Sequence, residues 1–297
     1  MSKTADVKIA VVGLPGKWST ETLADAIEAR TGFRMVVDMQ QVTLNLAHGQ
    51  LWYDDTNLCQ LDGIIVKKIS SEYSPNTLDR LELLRVAEAA GVKVFSKAEH
   101  ILRLIDRLSC TVTLRNHDIP MPATIITECP EQALKAVETF GEAVFKPLYS
   151  TKARGMELIT HAQPDKQTAI ARFAAQHPMM YIQQKLNLSG RDLGMVFLGG
   201  QYLGSYARQG AGNSWNTTIH SGGKYTKAEP EQTLIDLAKR AQAPFAMDFT
   251  TVDVAETDSG PIVFEVSAFG GFRGALDGIG INAAALYTDY VIGKING

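Results

Sequence analysis

The sequence has few cysteines, no excess of charge of one sign and no long hydrophobic run. Its three cysteines, Cys59, Cys110 and Cys129, are widely spaced and form no CxxC pair, which argues against a disulfide framework and against a zinc site. The formal net charge of -3 lacks the basic excess that general nucleic-acid binding requires. No apolar stretch approaches the ~18 residues of a membrane-spanning helix.

The amino terminus shows no signal-peptide pattern, because residues 1–6 are polar and a strand-like apolar run follows at once. We therefore expect a cytoplasmic protein with no membrane association. Hydrophobic residues make up 45% of the 297 residues and charged residues 21%, which is typical of a folded globular chain.

Strand and helix signals alternate through the first domain. Residues 7–12 (VKIAVV) form a continuous apolar run, which indicates a strand buried on both faces. Ser19 or Thr20 is a candidate cap for a helix that ends before Gly32, and the Ser-Pro pair at 74–75 opens a second helix. Further strands are predicted at residues 35–38, 62–67 and 92–95. The alternation predicts a small parallel sheet covered by helices.

The pattern changes after residue 97. One helix is predicted from Ala98 to about Asn116, and antiparallel pairing dominates the rest of the chain. The pair Gly199-Gly200 lies between two strand-like runs and predicts a tight hairpin. A second hairpin is predicted from the strands 249–255 and 261–267. We expect three domains or lobes, at residues 1–97, 98–180 and 181–297.

The strongest chemical constellation lies in the second predicted hairpin. Glu265 and Ser267 are two residues apart on one strand and therefore share a face, and the hairpin brings Asp253 opposite them. Oxygen ligands of this kind suit Mg²⁺ that bridges nucleotide phosphates. The alternative is a pair of acids that face solvent on one side of a sheet, and the spacing alone does not separate the two interpretations.

Two other segments could meet phosphates. Lys146 ends an apolar strand and is followed by proline and by a loop of small polar and basic residues that includes Ser150. The polar run at 215–224, preceded by Arg208, is a second candidate loop. Taken alone, Lys146 also fits a surface lysine, and the run fits an ordinary surface loop.

Taken in order, these segments resemble the ATP-grasp superfamily and are most similar to its RimK-like ligases. The resemblance covers residues 97–297 and extends more loosely over the first domain. It implies an α+β fold in which two lobes with antiparallel sheets clasp ATP, preceded by a small parallel α/β domain. It also implies an ATP-dependent carboxylate–amine ligase that works through an acyl phosphate, adds an amino acid such as glutamate, and uses ATP with Mg²⁺ or Mn²⁺.

The resemblance assigns roles to individual residues. Arg208 would be catalytic, and the metal ligands would be Asp253, Glu265 and Ser267. Arg273 and Ser150 would contact substrate. The nucleotide would be bound by Arg107, Lys146, Gln183, Gln184, Lys185, Leu186, Asp192, Asn216 and Thr218.

The chain departs from the family pattern at several of these positions. Ser267 replaces an asparagine ligand, Gln184 replaces an acidic residue, and Gly194 stands where an arginine is frequent. Arg107 occupies the place of a lysine. The segment after the metal strand is also unusual, which makes Arg273 a candidate for pairing with a substrate carboxylate. Together these differences predict an unusual substrate.

The expected partners are an amino acid and a carboxylate on a small molecule or a protein tail, with no general nucleic-acid binding and no membrane. Members of this family often self-associate, so a homo-oligomer is one expectation. Three alternatives remain at this stage: an ATP-grasp kinase for a small molecule, a nucleotide-binding regulator without turnover, and an interaction protein whose polar loops are plain surface.

Overall fold

The computed structural model describes residues 7–150, 153–188, 191–210 and 224–297. The helices and strands of the first domain are β1 (Ile9–Val12), α1 (Trp18–Thr31), β2 (Val36–Val37), β3 (Thr43–Asn45), β4 (Gln50–Tyr53), β5 (Thr56–Asn57), β6 (Gly63–Val66), α2 (Pro75–Ala89) and β7 (Lys93–Phe95).

The first domain is built on a parallel sheet with the strand order β2-β1-β6-β7. All residues of β1 and β6 are buried, as expected for strands covered on both faces. The predicted parallel sheet and the helix that begins at Ser74-Pro75 are confirmed, and Ser74 forms a capping box with Thr77. A small antiparallel sheet, β3-β4-β5, was not expected from the sequence.

The predicted cap of α1 was wrong. The helix begins at Trp18, and the extended residue before it, Lys17, is the N-cap. Thr20 lies inside the helix and is buried, because its side chain fills the space beside Gly13, where a Cβ atom would come within 2.5 Å of it. The helix does end at Gly32, which takes the left-handed conformation with φ 79°.

Beyond the first domain, the described residues form two antiparallel sheets, and the middle of the chain forms the smaller of these two. Its strand order is β10-β9-β11-β8, and the ring pair Phe145 and Phe173 lies in the core between the sheet and its two helices. The elements here are α3 (Ala98–Ile105), α4 (Arg107–Asn116), β8 (Thr124–Thr127), α5 (Pro130–Phe140), β9 (Glu142–Lys146), β10 (Glu157–Thr160), α6 (Lys166–Gln176) and β11 (Met180–Gln184).

The prediction of a single helix for residues 98–116 was also wrong, because the helix is interrupted at Asp106. This residue is extended, with φ -88° and ψ 115°, and its carboxylate accepts a hydrogen bond from the backbone N–H of Leu108 at 3.0 Å. Asp106 therefore caps a new helix, α4. The break places Arg107 in the first turn of that helix.

The last part of the chain forms the larger antiparallel sheet, with the strand order β14-β13-β12-β15-β16. Both predicted hairpins are present, and Gly199 and Gly200 have φ values of 55° and 76°, as a tight hairpin turn requires. The elements are β12 (Arg191–Leu198), β13 (Gln201–Gln209), β14 (Lys224–Ala228), α7 (Gln232–Gln242), β15 (Phe249–Thr257), β16 (Gly260–Val266), α8 (Phe272–Ile279) and α9 (Ala283–Asn296).

The division at 97/98 and 180/181 remains a proposal. Its second boundary falls inside β11, which is a strand of the small sheet. Helix α9 packs against α1 and so links the end of the chain to the first domain. None of the helices in the described parts of the chain is long and apolar enough to cross a membrane.

The Tyr206 side chain lies between the large sheet and α8 and packs directly against glycines of both elements. A Cβ atom added at Gly194, Gly274 or Gly278 would come within 2.4, 2.3 or 2.5 Å of the Tyr206 side chain. Gly194 pairs with Tyr206 across β12 and β13. The Tyr206 ring therefore accounts for the absence of a larger side chain at Gly194, one of the departures from the family pattern.

We expect Gly274→Ala to lower the free energy of unfolding by about 1–3 kcal/mol, the usual cost of overpacking a core. Gly293→Ala is the matched control, because Gly293 also lies in a helix but a Cβ atom there meets nothing within 4 Å. The control should be neutral or stabilising by up to roughly 1 kcal/mol, through helix propensity. Chemical denaturation of both variants measures the difference; equal stability would contradict the close packing of the Tyr206 ring.

Candidate active site

The hairpin of β15 and β16 brings two carboxylates together. The register pairs Asp253 with Glu265, as predicted from their spacing, and pairs Asp253 on its other side with Gly194. Ser267 follows β16 directly, and its backbone N–H donates to the carbonyl oxygen of Thr251 at 2.9 Å. The three predicted metal ligands therefore lie at one end of this hairpin.

Arg208 is clamped between two acids. Its Nη2 lies 2.8 Å from Oδ2 of Asp253, and its Nε donates to Oδ2 of Asp192 at 2.9 Å. Asp192 is directly opposite Arg208 on the neighbouring strand. Burial acts to lower the pKa of Arg208, but the charges of Asp253 and Asp192 outweigh it and hold that pKa well above its ordinary value. The guanidinium is therefore permanently charged and fixed in orientation.

Two buried carboxylate oxygens next to Arg208 have no hydrogen-bond partner among the described residues, Oδ1 of Asp192 and Oδ1 of Asp253. Burial raises the pKa of Asp253 to about 7, and the negative charges of Glu265 and Asp192 add to the effect, whereas Arg208 opposes it. Burying a carboxylate oxygen without a partner lowers the free energy of unfolding, unless a cation binds that oxygen.

The donor set fits a nucleotide-bound magnesium ion. In the described parts of the chain, no three histidine, cysteine or acidic side chains group closely enough to hold a metal by themselves. Magnesium on a nucleotide needs only one or two protein carboxylates, because phosphate oxygens and waters supply its other ligands. Asp253 and Glu265, with the hydroxyl of Ser267 nearby in sequence, meet that requirement.

Arg107 connects the two sheets. Its Nη1 donates to Oε2 of Glu265 at 3.0 Å, and its Nε donates to the carbonyl oxygen of Pro147 at 3.3 Å. Its backbone N–H also donates to the carbonyl oxygen of Leu148 at 3.2 Å. Arg107 therefore joins the loop after β9 to the carboxylate of β16.

Lys146 lies at the end of β9 and faces the large sheet. Its Nζ donates to Oε1 of Gln183 at 2.5 Å and lies 5.4 Å from the centre of the Phe264 ring. Burial lowers the pKa of Lys146 to about 7, and the charge of Arg107 adds to the effect, while that of Glu265 opposes it. An anionic phosphate would stabilise the charged form of this lysine.

The Gln183 side chain lies beneath Lys146 and is almost fully buried. Its Nε2 donates to the hydroxyl oxygens of Thr124 and Tyr181, at 3.1 and 3.2 Å, so that its amide oxygen points at the lysine. Tyr181 in turn exchanges a hydrogen bond with Thr111 of α4 at 2.9 Å. This network holds Lys146 in place, and the predicted site residues did not include Thr111, Thr124 or Tyr181.

Of the other predicted nucleotide contacts, Gln184 ends β11, and Lys185 and Leu186 follow it. The backbone N–H of Gln184 donates to the carbonyl oxygen of Ala123 at 2.8 Å, and Nζ of Lys185 pairs with Oε2 of Glu142 at 2.9 Å. Leu186 is half-buried next to them. The predicted contacts Asn216 and Thr218 lie outside the described residues.

The two predicted substrate residues lie on different elements. The Ser150 hydroxyl donates to the carbonyl oxygen of Pro147 at 3.5 Å, in the loop after Lys146. Arg273 lies in the first turn of α8, and its guanidinium is 3.8 Å from the ring centre of Trp18 in the first domain. Their contacts with substrate remain predictions.

Two antiparallel sheets that meet around Arg107, Lys146, Asp253 and Glu265 define a protein of the ATP-grasp class. Residues 105–291 match the family model of the RimK-like ATP-grasp domain. The chain belongs to the RimK-like ATP-grasp family. The predictions of the ATP-grasp fold and of an ATP-dependent carboxylate–amine ligase are thereby confirmed.

Named relatives match almost the whole chain. The tetrahydromethanopterin:α-L-glutamate ligase of Methanosarcina acetivorans is 22% identical, over 93% of this chain and 96% of the relative. A probable α-L-glutamate ligase of Pseudomonas aeruginosa is 26% identical, over 96% and 95%. Among solved structures, the ATP-grasp ligase PsnB, complexed with a phosphomimetic variant of its minimal precursor, Mg and ADP, has a TM-score of 0.76 at 18% identity and covers 98% of this chain and 99% of PsnB.

Proposed function

We propose that the chain uses ATP to activate a substrate carboxylate and then joins it to the amine of L-glutamate. The choice of glutamate is supported by the two relatives named as glutamate ligases. The observation that carries the proposal is the pairing of Asp253 with Glu265 across a hairpin, with Arg107, Arg208 and Lys146 close around them.

Different side chains around Asp253 and Glu265 bind different parts of ATP. Lys146 and Arg107 hold the phosphates, because both are basic side chains fixed at the meeting point of the sheets, Lys146 by Gln183 and Arg107 by Glu265. The segment 184–186 borders the base and ribose. Magnesium, or manganese, held by Asp253, Glu265 and Ser267 would neutralise phosphate charge and promote phosphoryl transfer.

The reaction proceeds in two steps. An oxygen of the substrate carboxylate attacks the γ-phosphorus of ATP, the bond from that phosphorus to the β,γ-bridging oxygen breaks, and ADP leaves. The uncharged amine of glutamate then attacks the carbonyl carbon of the acyl phosphate. A C–N bond forms, the C–O bond to phosphate breaks, inorganic phosphate leaves and the amine loses a proton.

Arg208 is suited to the second step. The developing oxyanion needs a donor whose position is fixed before the reaction. Asp192 and Asp253 each accept a hydrogen bond or ion pair from the guanidinium and so fix its orientation. We propose that its remaining donor capacity stabilises the oxyanion and the departing phosphate. Asp192 therefore positions Arg208, and its predicted contact with the ribose remains untested.

The acceptor carboxylate belongs to a small molecule or to a peptide. The names of the relatives cover both kinds, since one is a tetrahydromethanopterin ligase and PsnB binds a precursor. The family match favours the ligase over the kinase, regulator and interaction-protein alternatives. A kinase would retain the transferred phosphate in its product, which mass spectrometry distinguishes from an amide.

A screen for ADP release tests the proposed function. We expect release from ATP and Mg²⁺ only when L-glutamate and a suitable carboxylate are both present, with free phosphate and a product heavier than the acceptor by one glutamyl residue. Removal of the metal with EDTA should abolish it. A phosphorylated product, or nucleotide binding without turnover across small-molecule and peptide carboxylates, would contradict the proposal.

A further inference from the structure

The loop that joins β6 to α2 reaches the active site from the first domain. We call residues 67–73 (KKISSEY) the lysine loop. It begins at the carboxyl end of β6, which lies beside the carboxyl end of β1. The connection from β1 leads to β2 on one side of the sheet, whereas the connection from β6 leads to β7 on the other side. Such an edge of a parallel sheet forms a crevice in which ligands bind.

Lys67 fastens this loop to the segment that follows the metal strand. Its Nζ donates to the carbonyl oxygen of Gly270 at 2.8 Å and to that of Phe269, and it lies 4.1 Å from the centre of the Phe272 ring. Burial lowers the pKa of Lys67 to about 7, and the charge of Lys68 adds to the effect. The contacts of Lys67 with main-chain carbonyls hold the lysine loop against residues 269–270.

Lys68 is held by the last residue of the same loop. Its Nζ donates to the hydroxyl of Tyr73 at 3.2 Å and lies 4.6 Å from the centre of that ring and 5.2 Å from that of Phe269. Burial raises the pKa of Tyr73, and the negative charge of Glu265 raises it further. Lys68 therefore lies close to both Tyr73 and Phe269.

The lysine loop also touches the loop that follows Lys146. Oε1 of Glu72 is 3.6 Å from Nη1 of Arg154. On the other side of the crevice, Trp18 at the start of α1 stacks on Arg273. The crevice is thus bounded by the first domain, by the loop after β9 and by the start of α8.

The ligase reaction needs a cation at this place. The substrate carboxylate and the γ-phosphate of ATP are both anions and repel each other as they approach. Lys68 is a basic side chain of the first domain, and its Nζ lies 5.2 Å from the centre of the Phe269 ring, two residues after Ser267.

We propose that Lys68 binds the carboxylate of the acceptor substrate, which enters through the crevice between the lysine loop and α8. The proposal rests on the proposed function. Tyr73 is the positioning residue of Lys68, because its hydroxyl fixes the ammonium group. The site takes an anionic carboxylic acid, and the amine substrate approaches from the side of Arg208.

The test uses N-acetyl-L-glutamate as a probe, because its blocked amine leaves it able to act only as a carboxylate. Its affinity for the full-length protein is measured by calorimetry in the presence of Mg²⁺ and the non-hydrolysable ATP analogue AMPPNP. We expect Lys68→Met and Lys68→Gln to weaken binding of the probe by about 10- to 100-fold, the effect of losing one charge-assisted hydrogen bond. Lys68→Arg should retain most of the affinity.

Three comparisons make the result specific. Lys8→Met removes an exposed lysine of the same domain, before β1, and should behave as the wild type. Tyr73→Phe should weaken binding of the probe while the affinity for Mg·AMPPNP stays unchanged. The affinity for Mg·AMPPNP should also be unchanged in the Lys68 variants, since Lys68 is assigned to the acceptor.

Two outcomes overturn the inference while the proposed function stands. One is a Lys68→Met variant that binds the probe as tightly as the wild type. The other is a wild-type protein that binds Mg·AMPPNP but has no measurable affinity for the probe. A wild-type protein that does not bind Mg·AMPPNP overturns the proposed function and this inference with it.

Discussion

Replacing Arg208 with alanine is expected to reduce the rate of ligation by about 10²–10³-fold, the usual cost of losing one preorganised oxyanion donor. The geometry supports a specific role, because Asp192 and Asp253 fix the guanidinium from two sides. Affinity for Mg·AMPPNP should change much less than the rate does. Steady-state kinetics and calorimetry on the same preparation measure both quantities.

Stability must be followed in the same experiment. Removing Arg208 leaves two largely buried carboxylates without their cation, and breaking a buried ion pair costs about 3–5 kcal/mol. Arg208→Lys keeps the charge but not the planar fork, so it should preserve more of the fold and still lose most of the activity. Arg191→Ala, on the neighbouring strand, removes an exposed arginine paired with Glu256 and should act as the wild type. Near-normal turnover of a folded Arg208→Ala variant would remove Arg208 from the mechanism.

Asp253→Asn is expected to weaken the affinity for ADP in the presence of Mg²⁺ by at least about 100-fold. Loss of an outer-shell partner of a metal already costs about 10- to 100-fold, and Asp253 is proposed as a direct ligand. In EDTA this loss of affinity should disappear, because no metal is bound and the missing ligand has no effect. The variant should then bind ADP at least as tightly as the wild type, since asparagine lacks the negative charge that repels phosphate. Titration of ADP with and without Mg²⁺ separates these effects.

The control for this variant is Glu256→Gln on the same strand. Glu256 is exposed and pairs with Arg191, so its replacement should leave the metal dependence unchanged. An Asp253→Asn variant that keeps the full Mg²⁺ dependence of the wild type would contradict the assignment of Asp253 as a metal ligand.

Local patterns in the sequence were sufficient to predict the strands around the proposed metal site. The two-residue period of a strand and the turn residues between residues 257 and 260 predict the hairpin. The pairing of Asp253 with Glu265 also needs a β-bulge, because the register shifts between Asp253 and Val254 and an unshifted register would place Phe264 opposite Asp253. The parallel sheet of the first domain follows in the same way from its continuous apolar runs. The family resemblance extended these local predictions to the fold as a whole.

Features that depend on tertiary contacts could not be predicted. The interruption at Asp106 removes only one residue from the helix, and the helical pattern of the sequence continues on both sides of it. The packing of Tyr206 depends on glycines from β12 and α8, which are far apart in sequence. Gln183 holds Lys146 only because β9 and β11 are neighbours in the small sheet.

Other parts of the site remain predictions for a different reason. Arg273 stacks on Trp18, so a substrate carboxylate that enters the crevice between the lysine loop and α8 would have to compete with this contact. The side chain at residue 267 is a hydroxyl, which can bind a metal directly or through water. Neither question has an answer in the amino-acid pattern, because both depend on the bound substrate.

Diffraction from crystals grown with Mn²⁺ and ADP tests the central claim most directly, because manganese gives an anomalous signal at the position of the metal. We predict a manganese peak within about 2.0–2.3 Å of carboxylate oxygens of both Asp253 and Glu265, with Lys146 on the phosphates of the same nucleotide. A nucleotide-bound manganese ion that contacts neither carboxylate would contradict the account.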